Sequence, residues 1–281
     1  MDKLLLVDGS NLLFQMFFGM PARIVNRNGK AVHGTMGFVG ALLKIIRMTA
    51  PTHIAVLFDG EHNNERTALN PDYKANRPNY GELPEENCPF TQLNDICAAL
   101  DYLKIRHAET TDCEVDDWIA GYAYAYGQER QIVISSFDSD YFQLLTENVS
   151  VLRYRGVKTT ICTPDYVRDH FEIAPAQYAD FKSLVGDVSD NIKGADKVGP
   201  KTAARLLNKF TTLDNVIAKA DQIESPSIKE SVKRHAERLQ TNYKLIKLNS
   251  GEQLPFQFDE LVCADMHLST SEVLKAIGLL P

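Results

Sequence analysis

The sequence is poor in cysteine, with five in 281 residues, at positions 88, 97, 113, 162 and 263. The number is odd and no pair has CxxC or zinc-ribbon spacing. This excludes a disulfide framework and a structural zinc site, and implies a reduced, cytoplasmic chain. No apolar run is long enough to span a bilayer, so no membrane association is expected. The opening MDKLLLVDGS turns polar too soon for a signal peptide. Internal repeats and low-complexity tracts are absent. The histidines stand apart, without the motifs of a Ser/His/Asp triad. Basic residues are in deficit, 30 Lys and Arg against 37 Asp and Glu, for a net charge of −7. That excludes a protein that coats nucleic acid by overall charge. What remains is a globular balance, 44% hydrophobic and 24% charged, over a chain long enough for one large domain or two smaller ones.

Positive charge is scarce but placed. Lys182, Lys193, Lys197, Lys201, Arg205 and Lys209 face only Asp187, Asp190 and Asp196 over the same stretch, a local +3 in an acidic chain. Within it, Asp187 and Asp190 are three residues apart, which on a helical turn puts both carboxylates on one face. Val198-Gly199 reads as a turn, and Pro200 suits the first position of a helix because its missing N–H would be unpaired there. A helix N-terminus is a ready phosphate site, and Lys201 and Arg205 share a face of this helix. Acids beside bases suggest a protein that holds nucleic acid and places metal ions near it.

The first half alternates strands and helices. Lys3–Val7, His53–Phe58, Gln131–Ser136 and Val149–Tyr154 read as strands; Asn11–Gly19 and residues 34–49 read as helices. This predicts a mostly parallel sheet, whose ligands bind at the carboxyl ends of the strands. Asp8, Asp59 and the pair Asp138 and Asp140 fall at those ends. One such aspartate is ordinary turn chemistry, but the set would repel itself without a cation. Thr111 and Glu114 have capping-box spacing, and Glu114, Asp116 and Asp117 suit a first helical turn, so on the residues alone structure and function stand even. Tyr122, Tyr124 and Tyr126 read as packing. Residues 61–90 are irregular, with Tyr73, Lys74 and Arg77 suited to gripping a strand. Beyond residue 175 the pattern is helical, over 212–220 and 227–248. Residues 259–281 read as a strand-like piece and a short helix from Ser271 that pack back, without chemistry.

Taken in order, VDGSN, FDG, YKANRP, CEVDD, FDSD, GDVSDN and VGPKTAARLL resemble the bacterial 5′ nuclease family. That family comprises the 5′–3′ exonuclease or flap endonuclease domain of DNA polymerase I and its free-standing relatives. The resemblance implies an α/β fold, PIN-like, with a mostly parallel central sheet flanked by helices and a helical domain carrying a helix–three-turn–helix. It divides the chain into a nuclease domain at 1–175 with an arch at about 61–90, a DNA-binding domain at 176–258 with the helix–three-turn–helix at 186–209, and a tail at 259–281.

It also implies two sites for Mg²⁺ or Mn²⁺. Asp8, Asp59, Glu114, Asp116, Asp117 and Asp138 would form the first; Asp140, Asp187 and Asp190 the second, with Asp138 near both. All-oxygen donors suit such hard cations and not zinc. A K⁺ ion is implied within Asn191–Pro200. Lys74 and Arg77 would be catalytic, and Phe14, Tyr73, Lys193, Lys197, Gly199, Lys201, Thr202 and Arg205 would bind DNA.

The expected activity is hydrolysis of 5′-ended or flapped DNA, and of RNA primers on DNA, by a monomer in replication and repair. With no polymerase region following, a free-standing form is expected. The alternative is a branched-DNA-binding protein with a degenerate site. The chain departs from the family pattern at Phe14-Gln15 (commonly Tyr-Arg), Asp112-Cys113 (Gly-Tyr), Phe137–Asp140 (GDKD) and Glu65-Arg66 (Phe-Arg). Crowding of the acids predicts that loss of Asp187 or Asp190 relieves repulsion.

Overall fold

The computed structural model describes residues 2–60, 65–249, 251, 253–264 and 267–281; residues 61–64 of the expected arch lie outside them. The chain begins β1 (Lys3–Asp8), α1 (Gly9–Gly19), α2 (His33–Thr49), β2 (His53–Phe58), α3 (Glu65–Leu69), α4 (Leu93–Tyr102) and β3 (Arg106–Glu109). Then come α5 (Val115–Tyr126), β4 (Gln131–Ser135), β5 (Val149–Arg153), β6 (Thr160–Cys162), α6 (Pro164–Phe171) and α7 (Tyr178–Val185). The rest comprises the two-residue strands β7 (Gly186–Asp187) and β8 (Ile192–Lys193), then α8 (Pro200–Phe210), α9 (Leu213–Ala218), α10 (Pro226–Arg234), α11 (Ala236–Ile246) and α12 (Thr270–Ala276).

Six strands form one sheet in the order β3-β2-β1-β4-β5-β6, parallel except for the antiparallel edge strand β6. Helices cover both faces, so every residue of β2 is buried. Along β1 the side chains alternate between two cores. Leu4 and Leu6 pack with Trp118, Ile119 and Tyr122, in a core that continues to Leu207 and Val232 of the helical half. Leu5 and Val7 pack with Phe38, Leu42, Ile96 and Leu100 on the other face. In register, Val7 stands beside Val56 and Ser135. The carboxyl ends of β1, β2 and β4 are therefore level, and the chain leaves all three at one edge. No helix among the described residues is long and apolar enough to cross a membrane.

The strand pattern did not announce β3 or β6. Arg106-His107-Ala108-Glu109 has no apolar alternation, because an edge strand with its ends exposed needs none. The 227–248 helix is broken at His235 into α10 and α11. The tail packs back: Val262 bridges His53, and α12 lies against α2 through Val273. Ser269 caps α12 at Glu272 N–H, and the Glu272 carboxylate returns the bond to Ser269 N–H.

The largest local correction concerns Asp187 and Asp190. They lie on a tight β7–β8 hairpin and not on a helical turn. Gly186 and Gly194 permit it. Gly186 has φ +90°, and a Cβ on Gly194 would come within 2.3 Å of the Leu184 carbonyl oxygen.

Candidate metal centre

Each acid at the sheet edge is held by its neighbours. Asp8 is the N-cap of α1, accepting from Asn11 N–H at 2.9 Å, and it also accepts from Ser136 Oγ at 2.9 Å. Asp59 N–H donates to Ser10 Oγ, and its Oδ1 accepts from Val115 N–H at 2.9 Å, at the start of α5. Tyr141 hydroxyl donates to Asp116 at 2.6 Å and reaches Asp8 at 3.3 Å. Asp138 Oδ1 accepts from Asp140 N–H, which fixes the turn after β4. Asp8, Asp59, Glu114, Asp116 and Asp138 line one cavity of about 500 Å³ with Lys74, Arg77 and the rings of Phe14, Tyr80 and Phe90. Phe14 meets those two rings edge-on, at 4.9 and 5.5 Å between centroids.

The expected capping box at Thr111 and Glu114 is not formed. Thr111 hydroxyl turns to Asp112, and Glu114, though the N-cap of α5, makes no side-chain cap. Its carboxylate instead accepts from Arg66, Lys74 and Tyr73 at 2.8, 2.7 and 3.1 Å. Burial alone would raise the Glu114 pKa, but Lys74 and Arg66 outweigh it and hold the group below the usual range. Asp8 forms no ion pair among the described residues. Burial, then the charges of Asp59 and Asp138, push it up to about 7 despite the bonds from Asn11 and Ser136. Burial and the Asp138 charge raise Asp116 well above the ordinary value.

This sets an expectation for the metal-free protein. The folded pKa of Asp8 lies above its unfolded value, so its ionisation costs stability progressively as pH rises from about 4 to about 7. Asp8→Asn should raise the melting temperature in EDTA at pH 8, and the gain should fade towards pH 4. Calorimetry of both proteins across that range checks it; an equal or lower melting temperature for the variant at pH 8 contradicts it.

The second group is differently charged. Oxygens of Asp140, Asp187 and Asp190 lie within 4.8 Å of one another. Buried Lys182, from α7, pairs with both Asp140 and Asp187. Burial opposes its charge, but the two carboxylates raise its pKa, so it stays an ammonium. Burial likewise opposes ionisation of Asp187, and Lys182 and Ser189 overcome it, so this carboxyl lies below the usual range. Arg77 pairs with Asp190 at 2.7 Å. The expected relief of repulsion therefore fails for Asp187, whose loss would strip a partner from a buried ammonium. Lys182 reads in the sequence only as local positive charge. Only the fold exposes its role: α7 is buried all round from Tyr178 to Leu184, Lys182 included.

Two expected site residues stand elsewhere. Asp117 is not in the cavity: it accepts from Arg66 at 2.7 Å and Asn249 N–H at 2.8 Å, tying α5 to the chain after α11. Tyr73 offers no face to a base. It is 6% exposed, packed with Ala179, Ile192, Leu245 and Ile246, and its hydroxyl serves Glu114. Tyr124, read as packing, is 47% exposed, whereas Tyr122 is fully buried. Arg66, which the sequence marks only as a departure from the family motif, bridges Glu114 and Asp117.

At the far end of the basic segment, α8 opens with Gly199 as N-cap and Pro200 at the first position, and no side chain caps it. Its first-turn N–H groups face outward for an anion. Lys193, Lys197, Lys201 and Arg205 are exposed, and none forms an ion pair among the described residues; Thr202 is half-buried between them.

The fold recurs in solved proteins. A bacteriophage T5 flap endonuclease variant, solved in complex with DNA and metal ions, superposes with a TM-score of 0.73 at 20% identity, covering 98% of this chain and 99% of that one. The catalytic core of Rad2 with a DNA substrate gives 0.61 at 13% identity, over 100% of this chain and 89% of that one. These likenesses are of fold. Sequence relatives include DNA polymerase I of Bacillus caldotenax, 33% identical over 265 residues, which covers 92% of this chain and 29% of the polymerase. DNA polymerase I of Bacillus subtilis is 31% identical over 289 residues, covering 98% of this chain and 32% of the polymerase. The chain thus spans under a third of the length of these two relatives. A family model for the 5′-3′ exonuclease N-terminal resolvase-like domain matches residues 3–172, and one for the 5′-3′ exonuclease C-terminal SAM fold matches residues 173–269. With the acid-edged sheet in the first match and the basic helical segment in the second, the chain belongs to the 5′-3′ exonuclease family.

Proposed function

We propose that this chain is a 5′ nuclease, dependent on Mg²⁺ or Mn²⁺, that hydrolyses phosphodiester bonds in 5′-flapped or 5′-ended DNA, with RNA primers on DNA as a second substrate. The observation that carries this reading is the meeting of two acid groups across one turn, Asp138–Asp140, with Lys74 and Arg77 against them. Asp8, Asp59, Glu114, Asp116 and Asp138 would hold one ion, and Asp140, Asp187 and Asp190 the other. All are oxygen donors, which hard divalent cations favour, and those of Asp140, Asp187 and Asp190 lie within 4.8 Å of one another. Bound there, two such ions supply an activated water and neutralise charge on the attacked phosphate and its leaving oxygen.

The protein supplies the rest. Lys74, and beside it Arg77, places a cation where charge develops on the phosphate. Phe14 offers a ring at the cavity wall for a terminal base. The N-terminus of α8, with Lys193, Lys197, Gly199, Lys201, Thr202 and Arg205, holds duplex phosphates away from the cut, aided by a K⁺ ion within Asn191–Pro200. In this reading residues 1–175 carry most of the cutting site, residues 176–258 lend it Asp187 and Asp190 and hold duplex, and residues 259–281 brace the sheet, all within a monomer.

The test is cleavage of a 5′-labelled flap duplex. No product is expected in EDTA, Mg²⁺ or Mn²⁺ should restore it, and Ca²⁺ should not, since its looser coordination misaligns attack. Undiminished cleavage in EDTA removes the metal mechanism, and binding without cleavage under any of these ions leaves a branched-DNA-binding protein. Lys201→Ala with Arg205→Ala should raise Kd and flatten the salt dependence of binding, by about one log–log unit for each phosphate no longer neutralised. The saturated single-turnover rate should hold, because such bonds are equally strong in ground and transition states. An unchanged slope moves the duplex off α8.

A further inference from the structure

Residues 72–77 and 188–191 are tied by bonds that the acids and cations alone do not require. Asn76 Nδ2 donates to the Val188 carbonyl at 3.0 Å. Asn191 Nδ2 donates back to the Asp72 carbonyl at 2.8 Å. Between them, Lys74 N–H donates to the Asp190 carbonyl at 3.0 Å, and Arg77 reaches the Asp190 carboxylate. We propose that Asn76 and Asn191 are positioning residues, a reciprocal amide clasp that sets Lys74 over the acid groups. The inference rests on the reading of Lys74 given above and adds what aims it.

Backbone geometry supports the assignment. Lys74 has φ +57°, a left-handed conformation uncommon outside glycine and costly for a β-carbon-bearing residue. Its flanks are held at Asp72 by Asn191 and at Asn76 through Val188, so the clasp brackets the strained residue. From that backbone the Lys74 ammonium reaches Glu114, in the first acid group, while its N–H is bound to the turn of the second. The strip therefore spans both groups, and its register is set by two amides. Neither amide is a metal donor, and Asn76 is exposed. Asn191 also has φ +57°, which asparagine tolerates and glycine tolerates freely.

The experiment uses Asn76→Ala, Asn191→Gly, which keeps the left-handed backbone, and the pair together. Three quantities are read: the saturated single-turnover rate on a 5′ flap with Mg²⁺, Kd for the same substrate with Ca²⁺, and hydrogen exchange of the Lys74 amide without metal. The pair is expected to slow the saturated rate about tenfold or more, as misplacement of a catalytic group does, with Kd little changed. Exchange at Lys74 should accelerate. In a Lys74→Ala background the same pair should change the rate by less than about twofold, since two steps in one chain of action do not add. An undiminished rate in the pair, or a full further loss in the Lys74→Ala background, overturns the clasp. Failure of the underlying reading looks different. Lys74→Ala would then keep its own saturated rate, and the clasp, with nothing to aim, would fall with it.

Discussion

Asp187→Ala and Asp190→Ala are each expected to cut the saturated single-turnover rate on a 5′ flap by about 10³-fold or more, the loss that follows when several kcal/mol of charge stabilisation is removed. Affinity for the duplex should change little, because the exposed bases of α8 lie outside this acid group. The two variants should part company in stability. Asp187 is paired with buried Lys182, so its removal leaves an ammonium with Asp140 alone, and the melting temperature in EDTA should fall. Asp190 is paired with half-exposed Arg77, which water can resolvate, and its removal should cost far less. Lys182→Met in the Asp187→Ala background should recover part of the lost stability without recovering rate. Near-normal rates in both single variants would remove this acid group from the chemistry.

Lys74→Ala should slow saturated cleavage by about 10²–10³-fold, the range seen when one preorganised donor to a developing oxyanion is lost. Lys74 lines the acid cavity, and its ammonium is 2.7 Å from Glu114. Burial works against its charge, but Glu114 and Asp116 raise its pKa, so the group is a cation at any working pH. A cation held in a partly desolvated cavity acts far more strongly than one on a surface. Kd should rise only modestly, if α8 holds the duplex as proposed. Single-turnover rates against enzyme concentration separate the two effects. If Lys74→Ala weakens binding alone and keeps the saturated rate, residues 61–90 form a docking loop.

The architecture was legible because its signals are periodic. Short, mostly apolar runs with an aspartate at or within three residues of the end mark β1, β2 and β4, and a parallel sheet brings such ends together. The placement of Asp8 and Asp138 at the sheet edge was legible from chain position alone, since each stands at or just past the end of a strand. The site was misread where a residue type serves two uses. Asp117 lies in the same first turn as Asp116, and one step of helical rotation sends it to Arg66 instead of the cavity. Tyr73 neighbours Lys74, yet the turn buries one ring in the core and sends the other residue's ammonium to Glu114 at the cavity wall. Lys182 was hidden because a lysine in a helix reads as surface. Only tertiary packing brings two carboxylates to it.

The strand order also writes a timetable for synthesis. On the ribosome, β1, β2 and β3 emerge within the first 109 residues and can pair among themselves. Asp8 and Asp59 are then already neighbours, with β1 still open on its other edge. That edge waits for β4, whose Ser136 bonds Asp8 across 128 residues of chain, and such distant closures are slow. Asp187 and Asp190 arrive later still. With β3 just made, a nascent chain holds Asp8 and Asp59 together before any of the other six acids of the two groups has emerged. Asp187 and Asp190 emerge only after all six strands of the sheet, whereas the core beneath β1 is completed by residues that follow them, as far as Leu261.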